Sequence, residues 1–525
     1  MNNTTDLNLF SRSLLSVKRV LISVTDKSGL ESFAGALNAS GAELVSTGGT
    51  AARLRSAGLK VSDVSEITGF PECLDGRVKT LHPSIHGGIL ARKNNATDMK
   101  TLEDLDIRPF DLIVVNLYPF RETIARPGCS VEEAIENIDI GGPAMIRAAA
   151  KNFDSICVVT SPDQYGILAD EIDEFGGIRY ETRLAFAREA FSRTAQYDSW
   201  IGTYLGSISG ELLPEKLTLA LDKSGDLRYG ENPHQAAGVY GFQHELIDCF
   251  HGKQLSYNNY LDVDAALNLA VLFKDDDPTC IIIKHTNPCG IATADSLTEA
   301  WQRAFETDKN SPFGGIVIVN RSLDIEAARA IDTIFTEIIL APSYSEEALE
   351  LLRTKANRRL ITYRNTDMLK TSWNSRGIFG GILYQQSDLD NLEQASLKVV
   401  TERMPTPDEL RDMEFAWKVV RRVSSNAIVF ARNRQTLGIG GGQTSRVESS
   451  RIAVEKAARE QLDLKSSVIA SDAFFPFADG IEAAAQAGAT AVIQPGGSMR
   501  DQEVIDAANR HGMAMVFTGR RHFRH

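Results

Sequence analysis

The sequence predicts an α/β protein built from several domains. Short apolar runs alternate with amphipathic segments through the first 200 residues, which is typical of a parallel sheet covered by helices on both faces. The length of 525 residues suggests three or four folding units at about 150 residues per domain. Hydrophobic residues make up 43 % and charged residues 24 %, the ordinary mixture of a globular protein.

Charge, cysteine content and hydropathy exclude several classes of protein. A net charge of −13 argues against a partner that is nucleic acid or an anionic membrane. The six cysteines form no Cys-x-x-Cys pair, so we expect reduced thiols in a cytoplasmic protein. No apolar run reaches the roughly 18–20 residues of a membrane span, and the N-terminus lacks the core of a secretory signal. Residues 1–16 are expected to form a loose tail.

Hydrophobic periodicity sets the expected elements of the first part. A helix is expected from Leu30 to a C-terminal Gly41, another from about Ala51, and a third at Pro143–Ala150. Strands are expected at Val20–Val24, Leu44–Ser46, Leu112–Asn116 and Ile156–Thr160. The pattern lapses near Gly206–Gly225, where we place the main domain boundary to within about ten residues.

The second part alternates in the same way and is interrupted once. Residues 355–405 are expected to be irregular, and helices are expected at Leu297–Phe305 and Pro407–Val423. The expected strands are Cys280–Ile283, Ile316–Val319, Glu337–Leu340, Ala427–Ala431, Val468–Ala470, Ala491–Gln494 and Met515–Phe517. Two successive blocks of similar size suggest a duplicated subdomain.

Two segments of the first part could bind a phosphate. Ser23–Lys27 follows a predicted strand and combines hydroxyls with a cation at the start of a helix. Ser46–Thr50 repeats the arrangement with a glycine turn, which lets the backbone approach an anion. Ligands of open α/β sheets bind beyond the carboxyl ends of the strands, so the two segments support each other. A plain helix N-cap is the alternative for Ser23–Lys27.

The polar loop Asp75–Pro83 is a third candidate, because crowded cations rarely serve packing. Its His82 lies four residues before His86, but Pro83 intervenes and no glutamate follows His82, so the spacing does not favour a metal. Asp139 and Lys151 flank a predicted helix, and either residue is a surface charge or a general acid or base.

Lys284 and His285 follow a buried strand and could form a proton-transfer pair. Neighbouring residues of a regular strand face opposite sides, so both can serve one site only if the backbone turns irregular at Asn287–Gly290. A capping histidine beside a solvated lysine is the equal alternative. Pro288-Cys289 is half of a zinc-deaminase signature, but Ala292 stands where the second cysteine ligand belongs, which argues against zinc.

Gly438–Gly442 is expected to be a glycine-rich turn that leads through Gln443–Arg446 into a helix. It offers backbone amides and a cation to an anionic or planar ligand. The basic C-terminus, Arg520–His525, is expected to be solvated when it is considered alone.

These segments resemble, in order from about Val17 to His525, the bifunctional formyltransferase and cyclohydrolase family of purine biosynthesis. The cyclohydrolase half is resembled by Ser23–Lys27, Gly76–Pro83, Asn116–Phe120 and Ile138–Gly142. The formyltransferase half is resembled by Arg228–Gln235, Lys284-His285, Ser425–Ala427, Gly440–Arg446 and Asp472–Phe477.

The resemblance implies a methylglyoxal-synthase-like α/β/α domain at 17–210, which would be the IMP cyclohydrolase. It implies a formyltransferase domain at 211–525 made of two cytidine-deaminase-like α/β subdomains without zinc, roughly 211–365 and 366–525. The implied substrates are aminoimidazole carboxamide ribotide (AICAR), its formylated product (FAICAR) and 10-formyltetrahydrofolate as the formyl donor. A homodimer with the formyltransferase site across its interface is implied as well. No catalytic metal is expected, and a monovalent cation is left open.

For formyl transfer, the resemblance implies three catalytic residues. His285 would help to remove a proton from the weakly nucleophilic amine, Lys284 would stabilise or protonate the departing folate nitrogen, and Asn426 would orient the carboxamide. The implied substrate-binding residues are Arg228, Tyr229, His234, Phe313, Glu337, Arg451, Phe474, Phe475 and Arg521.

For cyclisation, the resemblance implies a set of acids, bases and cations. Lys79 would stabilise the developing oxyanion, and Tyr118, Asp139 and Lys151 would complete the proton-transfer set. The implied substrate-binding residues are Ser23, Thr25, Lys27, Thr47, Gly49, Thr50, Arg77 and Thr80.

Two departures from the family pattern are small. Thr25 stands where the family often has serine, and Pro312 replaces the commoner alanine of a Ser-Ala-Phe-Gly segment. The rival hypothesis is a regulatory protein whose first domain only senses a nucleotide, because a fold does not fix a function.

Overall fold

A computed structural model of the chain describes residues 14–389, 392 and 397–525. The chain divides into two compact units, Met1–Leu221 and Asp222–His525. The expected loose tail is wrong at Leu15, which exchanges two backbone hydrogen bonds of 2.9 Å with Ile178. Residues 1–13 lie outside the described part of the chain.

The first unit contains five strands and ten α-helices among its described residues. The strands are β1 (Arg19–Ser23), β2 (Glu43–Ser46), β3 (Val61–Asp63), β4 (Leu112–Val115) and β5 (Cys157–Val159). The helices are α1 (Leu30–Ala39), α2 (Gly48–Ser56), α3 (Val64–Thr68), α4 (Pro83–Leu90), α5 (Ala96–Asp104), α6 (Phe120–Ile124), α7 (Val131–Glu136), α8 (Gly141–Lys151), α9 (Tyr165–Phe175) and α10 (Tyr180–Ile208). Short 3₁₀ turns lie at Leu74–Gly76 and Pro162–Gln164.

The strands of this unit form one parallel sheet in the order β3-β2-β1-β4-β5. Successive residues of β1 point into different cores: Val20 and Ile22 pack in one, and Leu21 packs in the other. The prediction of a parallel sheet with both faces covered is therefore confirmed. The strand order reverses between β1 and β4, and this reversal opens a crevice at their carboxyl ends, where ligands of such sheets bind.

The second unit begins with smaller elements and then contains one large sheet. Its strands are β6 (Lys223–Leu227), β7 (Ala237–Tyr240), β8 (Ile247–His251), β9 (Thr279–Lys284), β10 (Asn287–Thr293), β11 (Ile316–Val319), β12 (Ile338–Ala341), β13 (Arg359–Tyr363), β14 (Trp373–Ile378), β15 (Gly381–Gln386), β16 (Lys398–Val399), β17 (Ile428–Arg432), β18 (Gln435–Gly440), β19 (Val468–Ser471), β20 (Ala491–Gln494) and β21 (Ala514–Phe517). Its helices are α11 (Gln243–Leu246), α12 (Tyr257–Ala270), α13 (Leu297–Glu306), α14 (Ile325–Asp332), α15 (Glu346–Arg353), α16 (Pro407–Val420), α17 (Arg446–Arg459), α18 (Asp479–Gln486) and α19 (Asp501–Arg510), with 3₁₀ turns at Val271–Phe273 and Thr366–Thr371.

The large sheet is a structural duplication. Its strand order is β16-β21-β20-β19-β17-β18-β10-β9-β11-β12-β13-β8. The first half runs β8-α12-β9-β10-α13-β11-α14-β12-α15-β13, and the second half repeats this order from β16 and α16 to β21. The halves meet where β10 and β18 pair antiparallel. The expectation of a duplicated α/β block is confirmed, with a mixed sheet.

Two expectations about the second unit are wrong. Residues 355–405 contain β13 to β16 instead of irregular chain, and the exposed hairpin of β14 and β15 lacks the apolar alternation that would reveal it. Gly438–Gly440 belongs to β18, so only the following residues turn. A Cβ on Gly440 would lie 1.8 Å from the Ser449 carbonyl oxygen, so this glycine lets α17 approach the strand.

No helix in the described ranges combines the length and apolar character that crossing a bilayer would require.

Candidate functional sites

A cavity of about 600 Å³ lies at the carboxyl edge of the first unit's sheet. It brings together eleven of the twelve residues that the sequence analysis assigns to this half of the chain. They are Ser23, Thr25, Lys27, Thr47, Gly49, Thr50, Arg77, Lys79, Thr80, Tyr118 and Asp139. Lys151 is exposed and does not line this cavity. It ends α8 ten residues after Gly141, about 15 Å along the helix.

The N-terminus of α2 faces this cavity with no side chain capping its first turn. Thr47 precedes the helix, and its hydroxyl lies 3.1 Å from the hydroxyl of Ser23 at the end of β1. Gly48 has a positive φ of 41°, which glycine adopts without strain. Free helix amides and two hydroxyls form an anion site. The plain N-cap alternative for Ser23–Lys27 is wrong, because Gly29 caps α1.

Asn116 fixes the loop that contains Thr25 and Asp26, a role that the sequence analysis missed. Its Oδ1 accepts hydrogen bonds from the backbone N–H groups of Thr25 and Asp26 at 2.6 and 3.0 Å. Its Nδ2 donates to the Asp26 carbonyl at 2.8 Å. The available signal was a polar amide directly after a buried strand. Asn116 therefore ties the loop after β1 to the end of β4, across the crevice.

Two cations reach the cavity from the Asp75–Pro83 loop. Lys79 Nζ lies 2.9 Å from Glu72, and a Cβ on Gly48 would be 3.7 Å from that ammonium group. The ammonium is therefore close to the N-terminus of α2. Arg77 forms an ion pair with Glu136 of α7. Both cations are held at the cavity wall by carboxylates and remain partly exposed.

Asp139 lies just before α8 and is partly buried. Burial raises the pKa of its carboxyl, opposed by hydrogen bonds from the backbone of Gly142 and Tyr118. The Gly142 N–H donates to Oδ1 at 2.8 Å. The Asp139 N–H donates to the Tyr197 hydroxyl at 2.8 Å, and burial raises the pKa of this tyrosine to about 12. Tyr197 of α10 was also missed, because nothing in the sequence links it to residue 139.

The two histidines at the neighbouring helix α4, His82 and His86, differ in their hydrogen bonding. His82 precedes α4, and its Nδ1 accepts a hydrogen bond of 3.2 Å from the Ser84 N–H. Burial lowers the pKa of His86, and its Nε2 is buried without a hydrogen-bond partner in the described part of the chain. Among the residues that the structure describes, no group of three or more His, Cys, Asp or Glu side chains could hold a metal ion.

In the second unit, Lys284 and His285 stand at the tight turn between β9 and β10. The backbone does turn irregular beside the pair, but at His285 and Thr286, which both have positive φ, 52° and 62°. Asn287–Gly290, where the sequence placed the irregularity, belongs to β10 and shows only a register shift between Pro288 and Gly290. His285 is exposed, whereas Lys284 is partly buried and its Nζ donates to the Phe313 carbonyl at 2.8 Å. The turn allows the two adjacent side chains to serve one site.

The segment before β17 lies next to this turn. The Ser424 N–H donates to Asn287 Oδ1 at 2.9 Å, and Asn426 Nδ2 donates to the Gln443 carbonyl at 3.0 Å. Arg524 joins the two segments: its guanidinium donates to the Thr286 carbonyl at 2.9 Å. Its N–H donates to Ser425 Oγ at 3.0 Å. Lys284-His285 and Asn426 are thus held in one cluster.

The expectation of a solvated C-terminus is therefore wrong for Arg524, and it is also wrong for His522. The His522 ring is 7 % exposed, lies 2.7 Å from Asp388, and packs against the ring of Trp417. Arg521 is exposed, with its guanidinium 4.8 Å from the Phe523 ring centroid.

The Arg228–Gln235 segment forms the loop between β6 and β7. Gly230 N–H donates to the Gln235 carbonyl at 2.7 Å, which closes the loop on itself. Arg228 and His234 are exposed, and the Arg228 guanidinium lies 5.7 Å from the Tyr229 ring centroid. The predicted nucleotide-binding side chains of this loop are therefore free to meet a ligand.

The remaining predicted residues of this half differ in exposure. The Phe313 ring is 63 % exposed and lies 5.5 Å from the Phe335 ring. Phe474 is partly buried, and Phe475 is 1 % exposed within the core under α18.

Two predicted substrate-binding residues are paired within the protein. The carboxylate of Glu337 accepts hydrogen bonds from Arg359 at 2.8 Å and Asn259 at 3.2 Å. Arg451 forms ion pairs with Glu448 and Glu455 on its own helix.

The chain is an α/β protein. One unit has a cavity that could bind an anion beside a partly buried carboxyl, and the other has a lysine–histidine turn, an arrangement typical of an enzyme with two sites. The family model described as AICARFT/IMPCHase bienzyme matches residues 149–456, and that of the MGS-like domain matches residues 29–144. The chain belongs to the AICARFT/IMPCHase bienzyme family, and the expected MGS-like N-terminal domain is confirmed.

Full-length relatives agree with this membership. The chain is 50 % identical over 521 residues to the bifunctional purine biosynthesis protein PurH of Pelodictyon phaeoclathratiforme, covering 97 % of this chain and 99 % of that protein. It is 53 % identical over 510 residues to PurH of Chloroflexus aurantiacus, with the same coverage.

The crystal structure of ForH is 35 % identical, covers 36 % of this chain and 97 % of its own, and has a TM-score of 0.34.

The raised pKa of Asp139 predicts a pH-dependent stability. Above pH 3.8 the unfolded carboxyl ionises while the folded one resists ionisation, so this group lowers the free energy of unfolding as the pH rises. The loss is about 1.4 kcal/mol per unit of pKa difference. Asp139→Asn removes it and keeps an acceptor for Gly142. Urea unfolding in a pH series should therefore show the variant gaining stability relative to the parent from pH 4 towards 7. A difference that stays constant or shrinks with pH contradicts the assignment.

Proposed function

We propose that each unit of this bienzyme contains one active site, with cyclisation in the cavity of the first unit and formyl transfer at the His285 turn. The chain catalyses the last two steps of IMP synthesis, transfer of a formyl group to AICAR and ring closure of FAICAR. The main support is that the residues implied for cyclisation line one cavity of the first unit, whereas the residues implied for formyl transfer belong to the second unit. Domain limits of 17–210 and 211–525 are part of the proposal.

The finer fold of the second unit belongs to the proposal as well. Two cytidine-deaminase-like subdomains, roughly 211–365 and 366–525, are supported by the repeated order of strands and helices. Ala292 in the position of a zinc ligand supports subdomains without zinc. Both reactions are proposed to proceed by proton transfer and charge stabilisation from side chains, and the monovalent cation that the resemblance leaves open has no proposed ligands.

Formyl transfer joins the AICAR amine nitrogen to the formyl carbon of 10-formyltetrahydrofolate and breaks the bond from that carbon to the folate nitrogen. His285 takes a proton that the amine loses, directly or through the neighbouring carboxamide. Lys284 delivers a proton to the departing folate nitrogen, and its hydrogen bond to Phe313 keeps the ammonium at the site. Asn426, close to the turn, orients the carboxamide by paired hydrogen bonds.

The proposed binding residues of this site differ in how free they are. Arg228, Tyr229 and Arg521 hold the nucleotide, with the planar arginines suited to a bidentate contact with phosphate. His234 adds a polar contact. Phe474 and Phe313 border the folate pocket, and Phe475 supports that wall from the core. Glu337 and Arg451 can reach a substrate only by exchanging the ion pairs that they form now.

Ring closure joins the carboxamide nitrogen of FAICAR to the formyl carbon. The formyl oxygen leaves as water, which takes one proton from that nitrogen and one from the formamide nitrogen as the ring C=N bond forms. Lys79 stabilises the oxyanion that forms when the nitrogen attacks. Asp139 borders the same cavity as a proton-transfer group, and the Gly142 N–H holds its carboxyl in place. Tyr118 borders the same cavity as a further proton donor. Lys151 requires a different route to this chemistry, because it stands at the far end of α8.

Phosphate binding in the cyclisation site uses the amides at the start of α2. The hydroxyls of Ser23, Thr47 and Thr50, the Thr25 loop and the Lys27 ammonium surround that helix end together with Gly49. Arg77 and Thr80 flank the formamide. The attraction between an anion and a helix N-terminus supports this orientation of the nucleotide.

The proposal includes a cytoplasmic homodimer whose interface completes the formyltransferase site. The six cysteines are all free, as a reducing compartment requires. His285, Phe313 and Arg228 are exposed, which leaves the site open on one side. The tip of the β14–β15 hairpin also exposes apolar surface, with Phe379 96 % accessible.

Two single substitutions should separate the activities. His285→Ala removes the proton acceptor of formyl transfer and should lower that rate by about 100-fold or more, while cyclisation of supplied FAICAR persists. Lys79→Ala should do the reverse, because it removes the cation beside the developing oxyanion. Each activity is measured separately by product mass spectrometry. Loss of both activities in either folded variant refutes the assignment of one site per unit.

Light scattering tests the oligomer. The purified protein should have a mass near twice 57.5 kDa. Dilution to monomers should abolish formyl transfer but leave cyclisation, because only the formyl-transfer site is proposed to span the interface. A monomeric mass with full formyl transfer contradicts the dimer.

A further inference from the structure

The turn that carries His285 has a locally unfavourable sequence. Two-residue hairpin turns with positive φ at both central positions favour Asn and Gly. Here those positions hold His285 and Thr286, and a β-branched residue is a rare occupant of this backbone region. Pairing between β9 and β10 begins at Lys284 and Asn287, so the two turn residues themselves lie outside the strand pairing. The turn therefore depends on contacts from outside the hairpin.

Asp262 of α12 supplies such a contact. Its Oδ1 accepts a hydrogen bond from the Thr286 N–H at 2.6 Å, and the His285 N–H also donates to this carboxylate. Asp262 is partly buried, so the bond is shielded from water. Arg524 donates to the Thr286 carbonyl at 2.9 Å. The turn is thus held at its N–H groups by one helix and at its carbonyl by the C-terminus.

The duplicated half contains the same device without the catalytic pair. Asp412 is the sixth residue of α16, as Asp262 is the sixth of α12. It accepts hydrogen bonds from the N–H groups of Asn433 and Arg434 at 2.8 and 2.7 Å, and both residues have positive φ, 52° and 57°. This turn carries no histidine, and its Arg434 pairs with Asp277 at 2.6 Å.

We propose that Asp262 is a positioning residue for formyl transfer, which acts by holding the His285–Thr286 turn through its backbone N–H groups. The inference rests on the proposed role of His285. The backbone of the turn sets the direction of the His285 Cα–Cβ bond, so slack in the turn displaces the imidazole. A displacement of about 1 Å from the reactive geometry can lower a rate about 100-fold.

The test compares four variants of the full-length chain. Asp262→Ala removes both hydrogen bonds, Asp262→Asn keeps an oxygen acceptor, Asp412→Ala removes the equivalent contact from the other half, and His285→Ala tests the function on which the inference rests. Steady-state formyl transfer gives kcat and KM for AICAR. Cyclisation of FAICAR checks the active concentration, and circular dichroism with urea unfolding checks the fold.

We expect Asp262→Ala to lower kcat for formyl transfer by about 100-fold, with KM for AICAR changed by less than about threefold. Asp262→Asn should recover to within about tenfold of the parent. Asp412→Ala should keep formyl transfer within about threefold although it also loses stability. An equal loss of kcat in Asp412→Ala, an unchanged kcat in Asp262→Ala, or no recovery in Asp262→Asn overturns the inference. An active His285→Ala overturns the proposed function instead.

A second-site variant tests the same claim if Asp262→Ala folds poorly. Thr286→Gly removes the penalty for positive φ, because glycine adopts that backbone freely. In the Asp262→Ala background it should therefore raise kcat by about tenfold and restore the fold, since the turn no longer needs its acceptor as strongly. No gain of kcat in a folded double variant overturns the inference.

Discussion

The antiparallel pairing of β10 with β18 is the constraint on which the formyl-transfer site depends. The pairing joins two copies of one α/β block edge to edge, and it sets the start of β10 beside the end of β18. β18 is itself hairpin-paired with β17, so the start of β17 arrives at the same place. The Lys284-His285 turn of one copy therefore meets Asn426 of the other. Neither copy alone holds both parts of the site.

The first unit reaches a comparable result through a reversal of strand order. All five strands are parallel, so their polar carboxyl ends share one edge, and the change of direction between β1 and β4 leaves a gap there. Residues distant in the chain, such as Ser23, Thr47 and Tyr118, line one cavity for that reason. Asn116 bridges the gap by hydrogen bonds from β4 to the loop after β1. The cavity is then closed by cations and a carboxyl from later segments.

Sequence periodicity predicts the buried strands and amphipathic helices well, because burial imposes a regular apolar pattern. It fails for the hairpin of β14 and β15, whose residues are exposed and carry no such pattern. It also fails at Gly438–Gly440, because a glycine that admits a neighbouring helix has the same sequence appearance as a glycine that turns the chain. The duplication was visible as block size, but its pairing across β10 and β18 was not.

The candidate residues divide along the same line. Side chains that directly follow buried strands could be found, since their position relative to the sheet follows from the chain itself. Tyr197 and Asn116 act by tertiary hydrogen bonds to residues 58 and 90 or more positions away, and a sequence alone gives no sign of such a pairing. Lys151 differs from the other eleven residues, because the length of α8 separates it from Asp139 and it does not line the cavity.

The most direct test of two independent sites is to mix the Lys79→Ala and His285→Ala proteins and supply AICAR with 10-formyltetrahydrofolate. We predict that the mixture forms IMP, because the Lys79→Ala protein releases FAICAR and the His285→Ala protein closes it. Neither protein alone should form IMP. Mass spectrometry follows AICAR, FAICAR and IMP over time. A mixture that forms no IMP, from two folded proteins, would contradict the assignment of separate sites to the two units.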